Sequence, residues 1–151
     1  MSDRDVQLVQ GVFGNPALNQ EVDMATVIGD DAHWERNRDS IAPEVKVRFV
    51  IPEAGGVEIM NRQEFVGIEG LRAGWRLWME AWEYFRVTVE ALIDVGDGQV
   101  LLLGKANVRT RSGAVDMTQD TAVLSLIEDD RIVSMGFYLD PGQARHDAGL
   151  D

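Results

Sequence analysis

Phe65-Val66-Gly67-Ile68-Glu69-Gly70-Leu71 leads into an aromatic-rich stretch, and behind it three tight turns divide the chain into strands that end at Tyr138-Leu139-Asp140. From Ile68 to about Tyr84, the residues Leu71, Trp75, Trp78 and Trp82 recur at spacings of four, three and four, which places them on one stripe of a helix. Large rings at that spacing are core-packing residues first, and some of them can also line a ligand pocket.

Asp97-Gly98, Ser112-Gly113 and Asp129-Asp130 each separate strand-like runs, and the first two suit two-residue hairpins. The spacing predicts a four-strand antiparallel meander. With each dipeptide at the turn centre, Leu92, Leu103, Ala122 and Phe137 form one row, and Asp94, Leu101, Leu124 and Met135 the next. Further along the same face come Glu90, Lys105, Asp120 and Leu139, then Thr88, Asn107 and Thr118. The second face carries Val89, Val100, Leu102, Ala106, Val108, Val123 and Ile132, with Thr121, Ser134 and Tyr138 interspersed. Both faces are apolar enough to need cover, and one domain has helix for one of them, so a homodimer through the second face is expected. A single bulge would invert this parity locally.

Upstream, Val6, Val9, Val12 and Phe13 give a first helix over residues 3 to 13, interrupted by Asn15-Pro16. A second helical region is expected over about 17 to 40, with Asp30-Asp31 as caps before Trp34. Glu44 to Ile51 reads as a strand stopped by Pro52, and Ala54-Gly55-Gly56 as a turn before an extended Val57 to Phe65. No repeat or linker divides residues 1 to 151, and 16.8 kDa fits one α+β domain.

The composition excludes several classes. There is no cysteine, hence no thiolate nucleophile, cysteine-held metal or disulfide scaffold. The N-terminus has no basic segment followed by an apolar one, and no apolar run approaches the ~20 residues of a membrane span, so a cytoplasmic protein is expected. A net charge of -12 disfavours nucleic acid and anionic lipid as partners. His33 and His146 stand far apart without metal-ligand spacing, and no nucleophile elbow or phosphate loop occurs; neither metal nor cofactor is expected.

The chain resembles the nuclear transport factor two-like superfamily, in particular its SnoaL-like branch, named for a polyketide cyclase. The resemblance rests on Phe65 to Leu71, Ile93-Asp94-Val95-Gly96-Asp97, Ile127 to Val133, and Tyr138-Leu139-Asp140 followed by Ala144 to Leu150. It implies a cone of N-terminal helices packed on a strongly curved, mostly antiparallel sheet that encloses an apolar pocket and often dimerises through the sheet. It does not imply one activity. Ala122 stands where ketosteroid isomerases carry their oxyanion-stabilising acid, and Phe49 falls near their general base. The Asp-Arg-Asp set of limonene-type epoxide hydrolases falls on Phe137 and the region Leu103 to Ala106. Asp140 matches the acid that SnoaL-like cyclases often carry at the end of the last strand.

The residues themselves point to Glu90, Lys105 and Asp120. A lysine between two carboxylates could polarise a carbonyl while one acid transfers a proton, and the same trio could equally be a cross-strand salt-bridge ladder. The expected function is a small-molecule pocket protein acting as a cofactor-independent acid-base isomerase, dehydratase or cyclase on an apolar carbonyl or cyclic substrate. The alternative is a noncatalytic ligand-binding or dimerisation module. Asp120, Lys105, Glu90 and Asp140 are the catalytic candidates; Trp75, Trp78, Leu103, Asn107, Ala122, Met135 and Phe137 are the ligand contacts. A binder predicts Lys105 and Asp120 paired outside the cavity, a catalyst predicts an isolated acid inside, and a dimerisation module predicts a cavity filled by Trp75, Trp78 and Phe137.

Overall fold

The structure, a computed structural model, describes residues 2–14, 19–50, 64–80, 82–111 and 116–150. The helices are α1 (Ser2–Val12), α2 (Met24–Gly29), α3 (Asp31–Arg36), α4 (Gly67–Met79) and α5 (Pro141–Asp147). The strands are β1 (Glu21–Asp23), β2 (Ile41–Val50), β3 (Glu64–Val66), β4 (Trp82–Gly96), β5 (Gln99–Thr110), β6 (Asp116–Glu128) and β7 (Arg131–Tyr138). They form one sheet in the order β1-β4-β5-β6-β7-β2-β3, antiparallel throughout except for β2 against β7. This is the expected α+β cone, with α1, α2 and α4 packed on the inner face. No described helix is long and apolar enough to cross a membrane.

Local chemistry accounts for the elements. Val9, Val12 and Phe13 bury the inner stripe of α1. The expected second helical region is instead a short edge strand followed by two one-and-a-half-turn helices, each capped by an aspartate: Asp23 accepts from Ala25 N, and Asp30 from Ala32 N and His33 N. Helix α4 stops at Met79 rather than Tyr84, because Tyr84 to Val89 alternates with period two, and aromatic and β-branched residues favour the pleated strand. Trp82 therefore opens β4, yet its ring remains 5.7 Å from that of Trp78.

The Asp97-Gly98 turn has both residues at positive φ (55° and 79°), as does Asp129-Asp130 (53° and 63°), the geometry that matches the twist of paired strands. The expected turns at Ala54-Gly55-Gly56 and Ser112-Gly113, and the break at Asn15-Pro16, lie outside the described residues.

Bulges curve the sheet. In β4 the register shifts between Trp82 and Tyr84, between Val89 and Ala91 and again between Asp94 and Gly96; between β6 and β7 it shifts at Leu126/Ile127, where Val133 is the extra residue of β7. Beside the β4 bulge Gly104 pairs with Val89, and a Cβ on Gly104 would lie 2.5 Å from the Thr88 carbonyl oxygen. Only glycine permits that approach of the two backbones.

These shifts correct the expected rows. The β5–β6 register is as predicted, with Leu103 opposite Ala122 and Lys105 opposite Asp120. On the flanks, however, Leu103 pairs with Ala91 rather than Leu92, and Ala122 with Tyr138 rather than Phe137. A one-residue slip exchanges the faces, so Val89, Leu102, Ala106 and Val123, assigned to a dimer surface, join the inner core with Phe137 and Met135. Leu101, Leu103, Ala122, Leu124 and Tyr138 form an outer cluster, partly covered by Ala144 of α5.

Candidate cavity inside the cone

Between α4 and the concave face, the rings of Phe13, Phe49, Trp75, Trp78, Phe85 and Phe137 wall a cavity completed by Val22, Met24, Val87, Val89, Leu102, Val123 and Leu139. Trp75 is the hub: its ring lies 5.0 Å from Phe137, 5.5 Å from Phe85 and 5.6 Å from Phe49, each edge to face. The rings fill most of the space and leave a free volume of about 40 Å³. That is room for a few atoms, well below the ~300–1,000 Å³ of a drug-sized site.

Thr121 and Tyr138 are the hydroxyl-bearing lining residues. Thr121 donates its hydroxyl proton to the Tyr138 carbonyl (2.8 Å), while the Tyr138 phenol donates to Asp147 Oδ2 (2.7 Å) on the far side of the sheet. No described residue lining this cavity has a carboxyl, amine, guanidinium or imidazole group.

The sequence-predicted residues divide between the faces. Trp75, Trp78 and Phe137 line the cavity, and Met135 is buried against the adjoining core. Leu103, Asn107 and Ala122 belong to the outer side, a correction that follows from the bulged register. On that side Lys105 Nζ donates to Asp120 Oδ1 at 2.7 Å, with both side chains about half exposed. The bond to Asp120, the charge of Asp120 and that of the exposed Glu90, in that order, hold the Lys105 ammonium above its ordinary range. A lysine so held stays protonated at neutral pH.

Asn107 joins the same outer ladder, accepting from Thr118 Oγ1 (2.8 Å) and donating to Glu21 (3.1 Å). Arg109 lies between Glu83 and Asp116, with Tyr84 as its β4 neighbour. Asp140 caps α5, accepting from Gly142 N at 2.9 Å. His33 is buried, with Nε2 2.7 Å from the Val12 carbonyl, and ties α3 to the end of α1. Among the described residues no cluster of three or more His, Asp or Glu side chains is placed to hold a metal.

A wider groove of about 550 Å³ lies outside the cone, beside the start of α4. Its buried guanidinium, Arg72, donates to the Ile28 carbonyl (2.9 Å) and Asp31 (2.6 Å) and faces Glu69 at 3.6 Å; Arg38 pairs with Glu35. The larger volume is thus lined by charges that satisfy one another, whereas the smaller one is lined by aromatic and aliphatic side chains.

Sequence reasoning missed Phe13, Phe49 and Phe85 as cavity walls, and Thr121 as the hydroxyl inside. A usable signal was present in β5, where Val100, Leu102, Ala106 and Val108 carry no charge while the alternate positions include Lys105, Asn107 and Arg109. The uncharged set had to be the interior one.

No family model matches the chain, and no curated protein does. Solved structures match it over nearly its whole length. A SnoaL-like protein from a Jannaschia species shares 15% identity at a TM-score of 0.65, covering 99% of this chain and 94% of that one. TerC, crystallised with polyporic acid, shares 16% at 0.64 over 97% and 98%. A nuclear transport factor two-like protein from Burkholderia pseudomallei shares 16% at 0.62 over 95% of each chain. The chain has the nuclear transport factor two-like fold, in the form seen in SnoaL-like proteins.

Proposed function

We propose that this chain is a noncatalytic binding protein for a small, neutral, mostly apolar organic molecule held inside the cone, and that two copies associate through the outer face of the sheet. The observation that carries the first part is the separation of chemistry from cavity. Acid-base catalysis needs a proton-transfer group within hydrogen-bond reach of the substrate. The described lining residues include no carboxyl, amine, guanidinium or imidazole group, and Lys105 and Asp120 are bound to each other on the opposite face. Burying a charged ligand in that lining without a counter-charge would be costly, which selects neutral guests. TerC, a fold neighbour crystallised with polyporic acid, lends support to a small organic guest.

Association through the outer face is supported by the partly buried Ile93, Val95, Leu103 and Leu124 around Leu101, Ala122 and Tyr138. An apolar surface of that kind favours a partner over water.

A second reading, an assembly module with no ligand, is favoured by the small free volume, because a guest larger than a few atoms must displace a ring. A thermal-shift screen against neutral aromatic ketones, epoxides, steroids and polyketide mimics separates the two. A ligand at about 100 times its dissociation constant adds roughly 2.7 kcal/mol of stability. Reproducible hits without turnover are expected; a flat screen leaves the assembly reading, and turnover of a hit contradicts the noncatalytic one.

A further inference from the structure

We propose that the indole N–H of Trp75 is the donor that selects the ligand, so that the guest is a flat aromatic molecule carrying a carbonyl or similar acceptor. This rests on the cone interior being the ligand site. Trp75 is 4% exposed and lines the cavity, and its Nε1 is buried with no hydrogen-bond partner. The comparison with Trp34 is direct: that indole is equally buried, and it donates to the Val27 carbonyl at 2.9 Å. Buried donors are nearly always paired, and an orphan among functional walls calls for a reason.

Of the described side chains that bury a polar atom without a hydrogen-bond partner, Trp75 is the one that lines the cavity; Trp82, Arg109 and Ser125 do not. The hydroxyl donors among the described lining residues are committed. Thr121 gives its proton to the Tyr138 carbonyl, and the Tyr138 phenol gives its own to Asp147. Among its described lining residues the cavity therefore holds one buried, unpaired indole N–H, no free hydroxyl proton and no charge. Its walls suit a flat ring, since Phe49 and Phe137 already stack at 5.2 Å and 24°. The N–H is buried on an indole packed against the rings of Phe49, Phe85 and Phe137, so a guest that reaches it displaces a side chain, and pairing the orphaned donor offsets that displacement.

Acetophenone and α-methylstyrene test this, because the two share a shape and differ in a C=O against a C=CH2. In an apolar site without a donor the ketone is the weaker ligand, having given up its hydrogen bonds to water. Wild-type protein is expected to bind acetophenone at least as tightly as α-methylstyrene, and Trp75→Phe to shift the ratio of the two affinities about tenfold towards the hydrocarbon. Titration calorimetry measures both ratios. The Trp75 indole proton resonance of the wild type is expected to move downfield with the ketone and not with the hydrocarbon, a readout that stands if the variant does not fold. An unchanged ratio in Trp75→Phe, or an indole resonance that answers both compounds alike, overturns the inference while leaving a ligand site in place. Failure of the wild type to bind either compound overturns the inference together with the reading on which it rests.

Discussion

The two faces of one sheet have opposite characters. The concave face is built from Phe49, Phe85, Leu102, Val123 and Phe137, almost without polar atoms; the convex face alternates a charged ladder around Lys105, Asp120 and Arg109 with a half-covered apolar cluster around Leu101 and Tyr138. The residue types that suggest catalysis are on the face turned away from the cavity. What separates them is backbone geometry rather than composition, because each bulge in β4 and β7 exchanges the two faces beyond it. Function in this fold thus depends on register, and a reading that counts strands correctly can still assign the wrong side chains to the cavity.

The contrast can be broken most severely from inside. Phe137→Ala removes a ring in contact with Phe13, Phe49 and Trp75, and should cost about 3–5 kcal/mol in urea unfolding; a loss below ~1 kcal/mol would mean the concave core is not packed as described. The convex cluster should respond in assembly rather than folding. Leu103→Asp is expected to weaken self-association about a hundredfold and leave a species of 16.8 kDa in sedimentation with its ligand site intact, and an unchanged dimer would move the interface elsewhere.

The boundary between the faces is sharpened by Tyr138. Its ring lies over Gly136, where a Cβ would meet the ring at 2.8 Å, and its phenol is bonded to Asp147 under α5. Burial first, then the bond to Asp147 and its charge, push the phenol well above its ordinary value, against the opposing influence of Arg48. The folded state therefore holds that proton more tightly than the unfolded chain. The stability this confers is complete below about pH 10 and declines as the pH rises above it. Tyr138→Phe should cost about 1 kcal/mol near neutral pH and flatten the alkaline decline, measured as urea midpoints at about pH 8 and about pH 10.5. A decline equally steep in the variant would assign it to other groups.

Smallest of all should be the effect of the ladder. Asp120→Asn or Lys105→Ala is expected to shift the melting temperature by under about 3 °C and to leave ligand affinity unchanged, since exposed ion pairs contribute little. A large loss of ligand affinity in either would restore the acid-base row to the site.

Much of this was legible in the sequence. The helix of Leu71, Trp75 and Trp78, the Asp97-Gly98 turn, the four-strand meander and the Lys105–Asp120 pairing all follow from local spacing and turn chemistry. Trp82 was misassigned because its four-residue step from Trp78 continues a helical stripe, while the alternation that makes it a strand begins only two residues later. The faces of β4 and β7 were misassigned because a bulge adds one residue without a sequence signature of its own. Gly104, an uncharged glycine beside Lys105 in an otherwise full-sized strand, marks the bend but does not reveal which partner strand carries the extra residue. Phe13 and Phe49 reach the cavity from elements distant in sequence, and no local pattern brings them there.

Binding without reaction, in a cavity whose described lining carries no carboxyl, amine, guanidinium or imidazole group, is tested most directly by calorimetric titration of wild-type protein with acetophenone from about pH 5 to about pH 8, the range in which a histidine or a raised carboxyl would titrate. The account predicts one affinity across that range and heats independent of the buffer's ionisation enthalpy. An affinity that changes tenfold or more with pH, or heats that follow the buffer, would place a proton-transfer group against the ligand and contradict it.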